Sequence, residues 1–193
     1  MQYIIFDFLQ LILEQKLSQL MFSGEMDQLT LTSNTQPAIM AVSMAVMRVL
    51  EKQSGKTIDQ LCSFAAGHSL GEYSTLCAAK TFSLADTARL LRIRGNAMQD
   101  AVPAGKGAMV ALIGASDESA MQITNAVAEI GICEMANDNG AGQIVMSGDA
   151  AAVDKAIEVA SEFGIRRAVK LPVSAPFHSP LMQPAAAKMQ EAL

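Results

Sequence analysis

Apolar and polar positions divide the chain into a helical first half and a mixed second half. Met1 to Leu13 is apolar apart from Gln2, Asp7 and Gln10, which predicts a core-facing helix running on to about Met21. The stretch is too short to span a bilayer, lacks a basic leader and carries Asp7 inside its apolar run, so signal peptide and membrane anchor are both set aside. Ser33-Asn34-Thr35-Gln36-Pro37 supplies cap candidates and a first-turn proline, and the apolar run from Ala38 to Leu50 then predicts a largely buried helix. Leu61 to Ala66 is a short apolar run ending at Gly67, the length of a buried strand, and Leu70 to Ala79 reads as a helix. A strand-turn-helix junction is thereby expected at Ser69. Ser83-Leu84-Ala85-Asp86 resembles a capping box with Asp in place of Glu, opening a helix through Arg94 towards Asp100.

Val102-Pro103-Ala104-Gly105-Lys106-Gly107 predicts a loop, and the pattern changes after it. The order becomes strand (108–113), helix (117–130), strand (132–136), strand (143–147), helix (149–163) and strand (165–171). That βαββαβ succession is the ferredoxin-like pattern. The fold expected is α/β, with a large subdomain formed by 1–104 and 172–193 and a smaller ferredoxin-like unit, 105–171, inserted into it. Pro172, Pro176 and Pro180 mark a rigid loop before a last helix from about Pro184 to Leu193. No internal repeat or low-complexity tract interrupts this plan.

Composition narrows the function classes. Of 193 residues 51% are hydrophobic and 17% charged, enough apolar material for a folded core. Lys and Arg total 14 against 19 Asp and Glu, a net charge of −5, and no basic run exceeds Arg166-Arg167. Nucleic acid is therefore not the expected ligand, and with 5% aromatics and no Trp a base-stacking platform is not expected either. Cys62, Cys77 and Cys133 are odd in number, widely spaced and set in apolar runs, so they read as buried reduced thiols and point to the cytoplasm. His68 and His178 are the two histidines, neither with a second ligand at metal spacing, and no metal site is expected.

Gly67-His68-Ser69-Leu70-Gly71 matches G-x-S-x-G, in which a sharp turn into a helix presents the serine hydroxyl and the glycines allow close backbone approach. A serine at neutral pH needs a base. His68 adjoins Ser69, where successive side chains diverge, whereas His178 lies in the proline-stiffened Pro176-Phe177-His178-Ser179-Pro180, so His178 is the candidate base. The Leu70 backbone N–H, at a helix start, is the candidate oxyanion donor. Arg89, Arg92 and Arg94 share one predicted helix, and any of them near the serine would clamp a carboxylate; the pattern does not choose among them.

These residues carry a resemblance. Gly67-His68-Ser69-Leu70-Gly71-Glu72-Tyr73, Arg94-Gly95 with Met98-Gln99, Gly142-Gln143-Ile144-Val145-Met146-Ser147-Gly148, Ser174-Ala175-Pro176-Phe177-His178 and Thr35-Gln36-Pro37-Ala38 together resemble the malonyl-CoA:acyl carrier protein transacylase family of bacterial fatty acid synthesis, from about Leu17 onwards. The resemblance implies an α/β-hydrolase-like large subdomain with a ferredoxin-like small one. It implies Ser69 as acylated nucleophile, His178 as base, Leu70 N–H as oxyanion donor, Arg94 as partner of the malonyl carboxylate, and Phe177 as a bulky pocket wall disfavouring an α-methyl group. The implied reaction is ping-pong: malonyl-CoA acylates the serine, CoA leaves, and the phosphopantetheine thiol of acyl carrier protein takes the malonyl group. No cofactor of the chain's own is implied.

The family also has an opening strand with a Gly-Gln-Gly type motif and a later segment that orients the histidine. This sequence matches neither, and so reads as the catalytic middle of a longer enzyme. Two other readings stand beside transfer: a serine hydrolase or thioesterase, which shares G-x-S-x-G with a later His, and an inactive remnant of the transacylase. Arg94 separates the first, since a hydrolase of neutral esters has no use for a carboxylate clamp. Acyl carrier proteins are acidic, and Arg166, Arg167 and Lys170 are the candidate docking charges.

Overall fold

The computed structural model describes residues 2–103, 105–173 and 175–193, with side chains from Ile5 onwards. It divides into two compact units within one helix: residues 1–96 with 192–193, and residues 97–191.

The first unit is helical. Its elements are α1 (Gln2–Leu13), α2 (Leu17–Ser23), α3 (Met26–Thr30), α4 (Thr32–Ser54), α5 (Ile58–Leu61), α6 (Leu70–Ala78) and α7 (Leu84–Ala101), the last running on into the second unit. The core is built from one face of each longer helix: Ile5 and Leu9 of α1, Met40, Ala41 and Met44 of α4, Cys77 of α6, and Ala88 and Leu91 of α7. The first helix ends at Leu13 and does not run on to about Met21 as expected. Glu14 takes a left-handed conformation (φ 50°) and the Gln15 N–H turns back to the Gln10 carbonyl, ending α1 where the polar Glu14-Gln15-Lys16 begins. Helix α4 starts earlier, at Thr32, and stops at Gly55, whose left-handed φ of 66° lets its N–H bond to Glu51. The Ser83 signal holds: the Asp86 N–H donates to Ser83 Oγ (3.1 Å) and the Ser83 hydroxyl to the Asp86 carboxylate (2.6 Å).

Two expectations fail here. Residues 62–67 form an irregular, exposed stretch and not a buried strand, with Phe64 92% exposed. A strand exists through its ladder of hydrogen bonds to a neighbour, and every regular element among the described residues of this unit is a helix. Cys62, in the same stretch, is exposed, whereas Cys77 and Cys133 are buried as expected.

The second unit carries β1 (Gly107–Ile113), α8 (Asp117–Val127), β2 (Cys133–Asp138), β3 (Gln143–Asp149), α9 (Ala150–Val159) with a 3₁₀ turn (Ala160–Phe163), β4 (Arg167–Lys170), a second 3₁₀ turn (Pro180–Met182) and α10 (Gln183–Ala192). The sheet is antiparallel in the order β2-β3-β1-β4, the ferredoxin-like arrangement. Alternation along β1 sends Ala108, Val110 and Leu112 to one core with Ile123 and Val127 of α8 and Val153 and Ala156 of α9. Met109 and Ala111 face the other way, packing with Val145, Leu171, Val173 and Phe177. Gly148 lies against the Ile132 carbonyl, where a Cβ would come within 1.9 Å, so the Gln143–Gly148 motif serves strand pairing. Among the described residues no helix is long and apolar enough to cross a membrane.

Two outcomes follow for the folded chain. Ile123→Ala, which empties a fully buried position, lowers unfolding stability in urea by about 2–5 kcal/mol. Burial pushes the Cys133 thiol up to about 11 and also raises Cys77, so at pH 8 an aromatic disulfide reagent titrates Cys62 promptly in native protein and the other two after denaturation.

Candidate active site

Ser69 is the residue immediately before α6, in a conformation that L side chains seldom adopt (φ 52°, ψ −112°). The turn is compact. The Gly71 N–H bonds to the His68 carbonyl (2.8 Å) and the Glu72 N–H to the Ser69 carbonyl (3.1 Å). A Cβ on Gly67 would fall 2.0 Å from the Gly71 carbonyl carbon and oxygen, so a side chain there is incompatible with the bend. Gly71 differs, since a Cβ on it meets nothing within 4 Å. Strain of this kind tends to collect where a fold presents a reactive group. Leu70 opens the helix, so its N–H is among the first-turn donors that intrahelical bonding leaves over. His68 is exposed.

The three arginines of α7 have three fates. Arg89 makes an exposed ion pair with Asp86, one turn away (3.2 Å). Arg92 points to the α1–α2 junction, where its guanidinium donates to Asn34 Oδ1 (3.1 Å) and to Gln15 Oε1; Gln15 Nε2 also donates to Asn34 Oδ1 (3.0 Å), and Asn34 Nδ2 to the Gln28 carbonyl (2.8 Å). That network ties helices together. Arg94 faces Ser69: Nη2 donates to Ser69 Oγ at 3.1 Å and Nη1 to Gln36 Oε1 at 2.7 Å, and Cζ lies 5.7 Å from the centroid of the Tyr73 ring. Residues 92 and 94 diverge because two helical steps turn the side chain through about 200°.

Gly95 brings this arrangement about. A Cβ on it would be 2.6 Å from Ser33 Cα and 2.7 Å from the Thr32 carbonyl oxygen, so its absence lets α7 touch the start of α4. Arg94 then reaches Gln36 directly. Burial lowers the Arg94 pKa from its ordinary value, while Tyr73 and Glu72 act in the opposite sense, and the group remains a cation at neutral pH. Among the described residues no carboxylate lies within ion-pair distance of it. Desolvation also raises the Tyr73 hydroxyl, keeping the ring neutral beneath the guanidinium.

His178 belongs to the second unit. It has a left-handed φ of 57° in a loop anchored on both sides. The buried Ser179 hydroxyl donates to the Pro176 carbonyl (2.7 Å), and Gly107 packs so closely that a Cβ there would be 2.3 Å from Pro176 Cδ. Phe177 is half-buried between two clusters, Met109, Ala111 and Val145 on one side and Ala97, Met98 and Met182 on the other. Ser174, quoted in the same motif, and Ala104 in the earlier loop lie outside the described residues. Arg166, just before β4, and Arg167 and Lys170 within it are exposed, with Lys170 paired to Asp154.

The structure thus brings Ser69, Leu70 and Arg94 together and adds Gln36, Tyr73 and Gly95, which sequence reasoning had not assigned chemical roles. One signal was available for Gln36: an amide at the head of a helix expected to be buried needs a polar partner.

Comparison with known proteins gives the family. Residues 10–193 match the acyl transferase domain family. The malonyl CoA-acyl carrier protein transacylase of Bacillus subtilis is 50% identical over 190 residues, covering 98% of this chain and 58% of that protein. Its counterpart from Escherichia coli strain K12 is 43% identical, covering 86% and 52%. A crystal structure of acyl-carrier-protein-S-malonyltransferase from Bartonella henselae superposes with a TM-score of 0.93 at 60% identity, over 99% of this chain and 60% of that one. A malonyl-transacylase solved in complex with a type II PKS acyl-carrier protein gives 0.91 at 39% identity, over 97% and 60%. The chain therefore spans between half and three fifths of the length of these relatives. Its fold is the two-subdomain α/β fold of the malonyltransferase structures, an α/β-hydrolase-like large subdomain with a ferredoxin-like small one.

The two glycines of the turn make separable predictions. Gly67→Ala displaces the bend and slows labelling of Ser69 by a fluorophosphonate probe by about tenfold or more, as expected when a reacting atom is misplaced. Gly71→Ala retains the labelling rate and stabilises the helix by about 0.5–1 kcal/mol.

Proposed function

Because the chain belongs to the acyl transferase domain family, we propose that its protein moves a malonyl group from malonyl-CoA to the phosphopantetheine thiol of acyl carrier protein, through a malonyl-serine intermediate, in fatty acid biosynthesis. The observation that carries this reading is the half-buried Arg94 guanidinium, 3.1 Å from Ser69 Oγ and unmatched by a carboxylate among the described residues. A three-carbon acyl group esterified to that oxygen is short enough to fold its free carboxylate onto the guanidinium. A bidentate pair there fixes the carboxylate and with it the carbonyl, converting binding into alignment. A neutral acyl chain gains nothing from the same cation.

In the proposed sequence Ser69 Oγ gives its proton to His178 and bonds to the malonyl carbonyl carbon. The oxyanion is held by the Leu70 N–H, and the C–S bond breaks as CoA leaves with the proton returned by His178. The carrier thiol then gives its proton to His178, attacks the ester, and Ser69 recovers its proton. Phe177 is the proposed wall against an α-methyl group, a discrimination of a few kcal/mol at most. The large subdomain is proposed to comprise 1–104 and 172–193, the small one 105–171, and the exposed Arg166 and Arg167 to meet the acidic carrier. A reducing compartment, the cytoplasm, suits the exposed thiol of Cys62.

Incubation with malonyl-CoA is expected to add a malonyl mass to intact protein, on the peptide bearing Ser69, and to discharge it to holo acyl carrier protein. Rapid release of free malonate would instead support a hydrolase, and absence of any adduct on folded protein would favour a remnant. Arg94→Ala is expected to slow malonyl acylation by about 10²-fold while leaving acetyl acylation within a few-fold. Equal losses for the two donors would remove the carboxylate clamp from the mechanism.

A further inference from the structure

Arg94 is oriented by a neutral group, and that choice has a chemical meaning. Buried arginines ordinarily sit against a carboxylate, which satisfies the guanidinium and cancels its charge. Here Gln36, 4% exposed in the second turn of α4, presents Oε1 to Arg94 Nη1 at 2.7 Å. An arginine offers donors alone, so the amide must turn its oxygen towards it. The other fixed contacts are the Tyr73 ring, 5.7 Å from Cζ, and the Ser69 hydroxyl. All three are uncharged at neutral pH, and Glu72, whose charge reaches Arg94 through space, is not at ion-pair distance. Two of five N–H donors are engaged, one on each terminal nitrogen, which sets the plane of the fork. The close packing at Gly95 holds the two helices that carry Arg94 and Gln36 together.

We propose that Gln36 is a positioning residue for recognition of the acyl carboxylate: it fixes the plane of the Arg94 guanidinium without placing a carboxylate against it, so that contact is left to the substrate. This rests on the malonyl-transfer reading above. It separates two properties that a carboxylate at position 36 would merge, since Glu would orient the arginine equally well and neutralise it. Gln36→Ala removes orientation and keeps charge. Gln36→Glu keeps orientation and removes charge.

The two variants are therefore expected to fail in opposite ways in single-turnover acylation of Ser69, followed by intact-protein mass spectrometry against malonyl-CoA and acetyl-CoA. Gln36→Ala lowers the saturated malonyl rate about tenfold with half-saturation changed less than about threefold, because the cation still attracts the carboxylate but misaligns the carbonyl. Gln36→Glu raises the half-saturating malonyl-CoA concentration about tenfold or more. Acetyl-CoA acylation stays within about threefold of wild type in both, on the same reasoning. Circular dichroism and urea unfolding of each variant report whether it is folded. Folded variants that keep wild-type malonyl kinetics, or that lose malonyl and acetyl acylation equally, overturn the positioning role and leave malonyl transfer standing. Wild-type protein that takes no malonyl group from malonyl-CoA overturns both.

Discussion

A guanidinium held partly out of water, with no carboxylate at ion-pair distance among the described residues, is costly, and the residues around Arg94 are arranged to tolerate one. Desolvation works against the Arg94 cation, and in most interiors an acid would be supplied to offset it. Here a carbonyl oxygen, an aromatic face and a hydroxyl share that task. Each is individually weak, and together they fix direction more than they stabilise charge. Arg92, two positions earlier on the same helix, shows the contrasting use of the same side chain: its neutral partners cross-link the α1–α2 junction to α4.

The second unit solves a related problem with different means. His178 is carried on a loop whose backbone is left-handed at the histidine itself. A single imidazole cannot hold such a conformation, so the restraint is distributed over its neighbours. The Pro176 ring seats against the bare backbone of Gly107, the Ser179 hydroxyl returns to the Pro176 carbonyl, and Phe177 is clasped between two apolar clusters. The β-sheet thus acts as a rigid anvil for the loop, which explains why a glycine opens its first strand.

The second half of the chain was legible from pattern because its signals are local. Strand alternation in β1, glycines at left-handed turns and the short connection that pairs β2 with β3 are each readable from a few residues. The first half was less so. Leu61 to Ala66 has the composition of a strand, but a strand is a relation between segments, and no composition supplies the neighbour. The extent of α1 was overread because hydrophobicity continues past the residue, Glu14, at which the backbone turns. The Ser69 elbow was legible as a motif; the choice among Arg89, Arg92 and Arg94 was not, because it depends on a crossing of helices set by Gly95 and Ser33, far apart in sequence. Gln36 was in view throughout as one residue of a cap-like string, and its partner became visible once that crossing was known.

The backbone at Ser69 also limits which amino acids evolution can place there. Threonine carries the same hydroxyl and serves as a nucleophile in other chemical settings. Its second Cβ substituent makes a φ of 52° a severe conflict, however, whereas serine and cysteine have one heavy atom on Cβ. At this backbone conformation serine and cysteine are therefore the hydroxyl- or thiol-bearing residues that fit with least strain. Which hydroxyl-bearing residue can stand at position 69 is a matter of the shape of the turn as well as of chemistry.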